Sequence, residues 1–111
     1  MKAPLNDLRQ ISVIKLRTEL TADHGDQFRA QALSRMEDQV RDIVLDMTSL
    51  EVIDSQGLEN LLWLQETCAE KLGQVRLANG QEHIVKILEM TRLSPQFERY
   101  DSVEDAVKSL Q

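Results

Sequence analysis

The chain has 111 residues, of which 41% are hydrophobic and 29% charged, and this composition is typical of a single folded domain rather than a disordered segment. Its 19 acidic and 13 basic residues give a net charge of −6, so we expect it to bind neither nucleic acid nor an anionic membrane surface. The single cysteine, Cys68, excludes an internal disulfide and a multi-cysteine zinc site. The sequence shows neither an apolar signal segment nor a run of about 18 apolar residues, so we expect a cytoplasmic protein without membrane insertion.

The first part of the chain predicts a strand followed by a helix. Residues 11–16 are rich in apolar and β-branched side chains between polar neighbours, which is typical of a strand. A helix from residue 23 to about residue 39 follows, with Thr21 or Asp23 as its cap, because apolar residues recur at every fourth position: Phe28, Ala32 and Met36. Residues 3–10 are either an edge strand or an extended lead-in.

The middle of the chain predicts a buried strand and then the strongest helical pattern in the sequence. The continuous apolar run over residues 43–45 is typical of a central strand covered on both faces. The helix follows the motif Asp54-Ser55-Gln56-Gly57, and Gly73 is placed to end it. Its predicted buried face has seven residues at helical spacing: Leu58, Leu61, Leu62, Gln65, Cys68, Ala69 and Leu72.

The remainder of the chain continues to alternate between strands and helices. Residues 75–78 and 97–100 predict short strands, and a helix between them is marked by Ile84, Ile87 and Leu88. A closing helix begins at Ser102, where a hydroxyl precedes an acid by three residues, and its apolar stripe comprises Val103, Ala106, Val107 and Leu110. This alternation predicts an α/β fold with a largely parallel sheet, in one domain over residues 1–111.

The sequence contains no pattern of a familiar catalytic or cofactor site. Phosphate-binding glycine loops, dinucleotide fingerprints and nucleophile elbows are all missing, so we expect no cofactor and disfavour an enzyme. The run Asp23-His24-Gly25-Asp26 has ligand types for a metal, but acids in a first helical turn also suit the helix dipole, and we favour a polar helix start. His83 is expected to be solvated, and Cys68 to be a small core residue rather than a reactive thiol.

The motif Asp54-Ser55-Gln56-Gly57 has both a structural and a functional interpretation. Asp54 or Ser55 would cap the helix, and Gly57 would allow close backbone packing. A phosphate on an exposed serine there would face free backbone N–H groups and the positive end of the helix dipole. Phosphorylation would add about −1.5 to −2 charges and change the surface without unfolding the helix.

Trp63 lies outside the predicted buried face of this helix. Helical geometry places it about 140° from Leu58, on the side that carries Glu59, Glu66 and Glu70. Two interpretations remain open: the indole packs on an adjacent helix, or it anchors an interface, a role in which tryptophan is enriched. From the helical phase we expect a substantially exposed side chain that a partner covers.

The central segment resembles the signature of STAS domains, the domains of bacterial anti-sigma-factor antagonists. The resemblance is carried by Asp42-Ile43-Val44-Leu45-Asp46-Met47, then by Val52-Ile53-Asp54-Ser55-Gln56-Gly57-Leu58, and by Thr18-Glu19-Leu20-Thr21, which is similar to the family's Gly-Glu-Leu-Asp. It extends from the strand at Val13 to the closing helix at Leu110, and it implies a mixed β-sheet flanked by α-helices, with Ser55 as the phosphorylated serine. Gln56 departs from the family's usual second hydroxyl residue, and Thr18 from its glycine.

The resemblance implies a partner switch. The unphosphorylated protein would capture an anti-sigma factor, often a serine kinase that brings its own ATP and magnesium, and phosphorylation of Ser55 would release it until a serine phosphatase reversed the modification. The residues expected to contact this partner are Asp23, Asp54, Ser55, Gln56, Gly57, Glu59 and Trp63. The alternative is a soluble STAS subunit that regulates a lipid or anion transport complex, in which phosphorylation of Ser55 would be incidental.

Overall fold

The computed structural model describes residues 11–37 and 39–111. The strands are β1 (Ile11–Lys15), β2 (Glu19–Leu20), β3 (Asp42–Asp46), β4 (Val52–Ile53), β5 (Val75–Ala78) and β6 (Glu98–Tyr100). The helices are α1 (Gly25–Glu37), α2 (Ser55–Glu70), α3 (Glu82–Met90) and α4 (Val103–Ser109), and 3-10 turns at Ala22–His24 and Ser94–Gln96 precede α1 and β6. Each strand and helix predicted after residue 10 is confirmed, whereas the prediction for residues 3–10 lies outside the described ranges.

Four of the strands form one sheet in the order β1-β3-β5-β6, and β2 pairs with β4 in a separate small sheet. Every strand pair within the described ranges is parallel. Parallel neighbours need a crossover, and α1, α2 and α3 supply the crossovers from β1 to β3, from β3 to β5 and from β5 to β6. The predicted α/β fold, with helices flanking the sheet, is confirmed.

The sheet is covered on both faces, which explains the continuous apolar run in β3. Ile43 and Leu45 belong to the main core, to which α1, α2 and α3 contribute their buried residues. Val44 points to the opposite face and packs with Ala78 against Ala106 of α4 and against Leu110, which follows that helix. All three β3 residues are fully buried, so the predicted central strand is confirmed.

The buried face of α2 differs from the predicted one. Its buried residues are Gly57, Asn60, Leu61, Leu64 and Cys68. The helix ends at Glu70, so Leu72 falls beyond it, with a left-handed backbone at φ 63° and a side chain that is 79% exposed. Ala69 is exposed as well. Leu61, Leu64 and Cys68 belong to the main core, and Gly57 lies against the backbone of β2 at the start of the same face.

No helix in the part of the chain that the structure describes is long and apolar enough to cross a membrane.

Candidate functional site

Asp54 is the residue that caps α2. Its Oδ1 accepts a hydrogen bond from the Gly57 N–H at 2.8 Å, and its Oδ2 accepts one from the Ala22 N–H at 3.0 Å. These two bonds, the Gly57 bond first, hold the pKa of the Asp54 carboxyl below its ordinary value of 3.8. The Gly57 N–H is therefore already engaged, so fewer N–H groups are free for an anion than the sequence suggested.

Gly57 holds the start of α2 against the small sheet. A Cβ at this position would lie 2.1 Å from the carbonyl oxygen of Leu20 in β2 and 2.7 Å from Cγ1 of Ile53 in β4. Only glycine allows this close approach.

Thr18, where the family usually has a glycine, lies just before β2. Its carbonyl oxygen accepts hydrogen bonds from the Glu51 and Val52 N–H groups. Thr18 is not among the described residues with positive φ, so its replacement of a glycine leaves the local backbone unstrained.

Ser55 and Gln56 are exposed as the first two residues of α2. Within the described ranges, no group forms a hydrogen bond with the Ser55 hydroxyl. The capping role that the sequence left open between Asp54 and Ser55 thus falls to Asp54. The exposed serine is therefore not part of the cap, and the loop that carries it is held by the neighbouring Asp54.

Trp63 packs on α1, so the expected substantial exposure is wrong. Its half-buried ring meets the Phe28 ring edge-on, with centroids 6.5 Å apart and planes at 67°. The Arg29 guanidinium lies over the indole at 4.7 Å, and its Nε donates to Oδ1 of Asn60 at 2.5 Å. Residues of α1 cover part of the indole. The prediction considered only the position of Trp63 around α2, which does not show where α1 packs.

The remaining predicted contact residues lie around this centre. Asp23 is exposed in the 3-10 turn whose first residue, Ala22, bonds to Asp54, and Glu59 is exposed on α2. A small groove between the starts of α1 and α2 is lined by Ala22, Gly25, Asp26, Arg29, Gln56 and Asn60. Sequence reasoning missed Arg29 and Asn60. Asn60 could have been noticed in the sequence, because it is a polar residue directly before Leu61, and both are buried in α2. No sequence pattern pointed to Arg29.

The two histidines and the cysteine considered as candidates make contacts that are explained by the fold. The His24 ring is held by the Thr21 hydroxyl, 3.1 Å from Nδ1, and His83 is exposed as predicted, with Nε2 2.6 Å from the Glu51 carbonyl. Cys68 is buried, and that burial, with a smaller effect of the Asp42 charge, raises the pKa of its thiol to about 11. The predicted core role of Cys68 is confirmed. Among the residues that the structure describes, no three potential metal ligands cluster.

Comparisons with known proteins find the same fold in other chains. Phosphorylated SpoIIAA, a Bacillus cell fate determinant, is 23% identical, with 93% of each chain covered and a TM-score of 0.71. An anti-sigma factor antagonist from Mycobacterium paratuberculosis is 19% identical over 90% of this chain and 85% of that chain, with a TM-score of 0.79. The murine anion transporter Slc26a9 is 18% identical over 93% of this chain but only 18% of that chain, with a TM-score of 0.78. A comparison with curated proteins finds no match.

At these identities the structural similarities establish the fold. The sequence itself matches the STAS domain over residues 3–106, which is nearly the whole chain. The segment that carried the resemblance in the sequence also forms the start of α2, with its fixed loop and its exposed serine. The chain belongs to the STAS domain family.

Proposed function

We propose that this protein is a cytoplasmic anti-sigma-factor antagonist that acts by partner switching. Its unphosphorylated form binds an anti-sigma factor that is also a serine kinase, phosphorylation of Ser55 releases this partner, and a serine phosphatase restores binding. The observation that carries the proposal is Ser55 itself, exposed and without a hydrogen bond in the described structure, on a loop that Asp54 holds. The structural similarity to anti-sigma factor antagonists supports it, and one of these antagonists, SpoIIAA, has a structure in a phosphorylated form.

The physical basis of the switch is the cost of desolvating charge. A phosphate on Ser55 would carry about −1.5 to −2 charges directly beside the Asp54 carboxylate. In the free protein, water solvates both groups. In a closely packed complex they would lose that water, and a buried charge is strongly unfavourable unless it is paired. The modification therefore weakens the complex without disturbing the fold.

The proposed contact surface comprises Asp23, Asp54, Ser55, Gln56, Gly57, Glu59 and Trp63. Asp23, Ser55, Gln56 and Glu59 are exposed and accessible to a partner. Gly57 is buried, so its part is to hold α2 in place. Trp63 offers only the part of its ring that Phe28 and Arg29 leave uncovered.

The direct test is phosphate mapping with the partner kinase. A serine kinase isolated by its binding to the unphosphorylated protein is incubated with this protein, ATP and magnesium, and the site is located by mass spectrometry. We expect one phosphate, on Ser55, that Ser55→Ala abolishes and the control Ser34→Ala, at an exposed position of α1, retains. Full labelling of Ser55→Ala would refute the proposal.

The similarity to a segment of Slc26a9 favours the alternative of a transport-associated STAS subunit. The same capture experiment separates the two functions. A transporter ATPase that binds equally well before and after Ser55 phosphorylation would support the alternative, whereas a serine kinase released by phosphorylation would support the switch.

A further inference from the structure

The small groove between the starts of α1 and α2 adjoins the loop that carries Ser55, because its lining includes Gln56, the next residue in the chain. Its volume is about 170 Å³. Pockets that hold whole small ligands span about 300–1,000 Å³, so this groove has room for little more than the end of a side chain. Its size therefore fits part of a docked protein better than a free cofactor.

The amide nitrogen of Asn60 is an unpartnered hydrogen-bond donor in this groove. Only 4% of the residue is exposed, and the bond from Nε of Arg29 to Oδ1 fixes which way the amide is turned. Within the described ranges, no group accepts a hydrogen bond from Nδ2. Every fully covered side-chain nitrogen or oxygen of the described residues has a partner, so Nδ2 keeps an opening to solvent. Because Asn60 lines the groove, that opening is the groove, and its occupant must be a hydrogen-bond acceptor.

Gly25 leaves the space beside this nitrogen open. Its φ of −62° and ψ of −43° are ordinary helical values, so the backbone does not require glycine here. A Cβ at this position would lie 2.9 Å from Nδ2 of Asn60. Glycine is a poorer helix former than alanine, so what it provides at the start of α1 is access to the Asn60 amide.

The charges around the groove favour a neutral occupant that contains a carbonyl group. Arg29 contributes one positive and Asp26 one negative formal charge, and the other lining residues are neutral. Asp54 adds a negative charge beside the groove, because its Oδ2 accepts from the N–H of the lining residue Ala22. A carboxylate or phosphate would meet both acids, whereas an ammonium or guanidinium group offers no acceptor to the Asn60 amide.

We propose that this groove holds a primary carboxamide, the end of an asparagine or glutamine side chain of the protein that docks over Ser55. Its oxygen accepts from Nδ2 of Asn60 and from Arg29, whose Nη groups have no hydrogen bond within the described ranges, and its N–H groups donate to the Asp26 carboxylate. A primary carboxamide presents its acceptor and donors at one end, whereas the C=O and N–H of a trans peptide point in opposite directions. The source of the side chain rests on the proposed function, but the chemistry of the groove does not.

The first test uses propanamide, which reproduces the end of a glutamine side chain, and propanoate, which has the same shape with a negative charge. Each is titrated into the full chain and followed by two-dimensional NMR. We expect propanamide to shift the signals of Gly25 and of the Asn60 side chain, and propanoate to bind at least about fivefold more weakly. Gly25→Ala should weaken propanamide binding by about fivefold or more, whereas Glu37→Gln, at the exposed far end of α1, should leave it unchanged.

The second test uses the protein captured on the unphosphorylated chain. When it is bound, propanamide should no longer shift the signals of Gly25 and Asn60, and Gly25→Ala should weaken its binding by about tenfold relative to Glu37→Gln. Both results follow if a side chain of the captured protein occupies the groove.

Three outcomes would overturn the proposal. Propanoate binding as tight as propanamide binding would show that the groove does not select a neutral amide. Unaltered propanamide affinity in Gly25→Ala, with a well-dispersed spectrum, would place the probe elsewhere. Propanamide shifts that persist when the captured protein is bound would show that this protein leaves the groove unoccupied. A chain that captures no protein would refute the proposed function and with it the source of the side chain, while the two probes would still decide the chemistry of the groove.

Discussion

The Asp54 carboxylate and the Ala22 backbone, 32 residues apart in the chain, are joined by a 3.0 Å hydrogen bond from the Ala22 N–H to Oδ2. The other oxygen of the same carboxylate caps α2 through the Gly57 N–H. One side chain thus fixes both the start of α2 and the turn that leads into α1. Because the Ser55 side chain takes no part in these bonds, the proposed phosphorylation would leave both of them in place.

Ser55→Glu is expected to weaken partner binding and to leave the fold intact. An acid in the first turn of a helix is stabilising by about 0.3–1 kcal/mol, and the neighbouring Asp54 offsets part of this, so the thermal midpoint should change little. Ser55→Gln is the matched uncharged control. Calorimetric titration with the captured kinase should show weaker binding for the Glu variant than for the Gln variant. Wild-type affinity of Ser55→Glu would contradict the charge mechanism.

Gly57→Ala is expected to destabilise the protein by about 1–3 kcal/mol or more, since the added methyl group overlaps a backbone carbonyl. Leu20 cannot move away freely because β2 is paired with β4. Gly25→Ala is the control, since its methyl group would meet only the end of the Asn60 side chain, at 2.9 Å. Urea denaturation should give a clearly larger loss for Gly57→Ala. Equal losses would show that the contact between Gly57 and β2 is not critical.

Stability is expected to fall in acid partly through Asp46. Burial raises the pKa of this carboxyl, but hydrogen bonds from Thr48 and Asn79 outweigh burial and lower it below 3.8. A folded-state pKa below the unfolded one stabilises above the unfolded value, and this contribution is lost as the pH falls through the folded value. Asp46→Asn should therefore flatten the decline of the urea midpoint between pH 5 and pH 2.

The control for this pH effect is Asp101→Asn, because the Asp101 side chain is 97% exposed. We expect this variant to keep the wild-type decline. A decline in Asp46→Asn as steep as in the wild type would assign the acid sensitivity to other groups.

Arg29→Ala is expected to expose the indole of Trp63. The substitution removes a cation–π contact that is typically worth about 0.5–1 kcal/mol at an exposed site, and it removes the Nε donor to Asn60. Because Trp63 is the only tryptophan, its emission reports on this site alone, and we expect a red shift and stronger quenching by acrylamide. Arg29→Lys keeps the charge but loses the Nε bond, so it should give an intermediate result. Unchanged emission in both variants would contradict the stacking.

The sequence was sufficient to predict the order of the four helices and of the four strands in the main sheet, because each carries a local pattern, whereas the two-residue strands β2 and β4 were not predicted. The fully buried run in β3 and the cap at Ser102, whose hydroxyl accepts from the Asp105 N–H, are both read from neighbouring residues. The resemblance to STAS domains added the expectation that Ser55 is the phosphorylated serine. In β3 and at Ser102, the residues that determine the local structure are close together in the sequence.

Long-range contacts were not predictable in this way. Arg29 and Asn60 are 31 residues apart and meet only because α1 packs on α2, and the same packing covers Trp63. The face of α2 was misplaced because helical spacing alone ranks Leu72 with the core residues, although the helix ends before it. Which side of a helix is buried depends on the neighbours that the fold brings to it.

The capping role of Asp54 bears on how the proposed phosphate would be displayed. A phosphate at the start of a helix normally gains from free N–H groups, but here a carboxylate already accepts the Gly57 N–H. In the proposed cycle the phosphate on Ser55 therefore stays turned toward solvent instead of folding back onto the helix. The hydrogen bond that holds the loop would thus leave the phosphate accessible to the serine phosphatase of the proposed cycle.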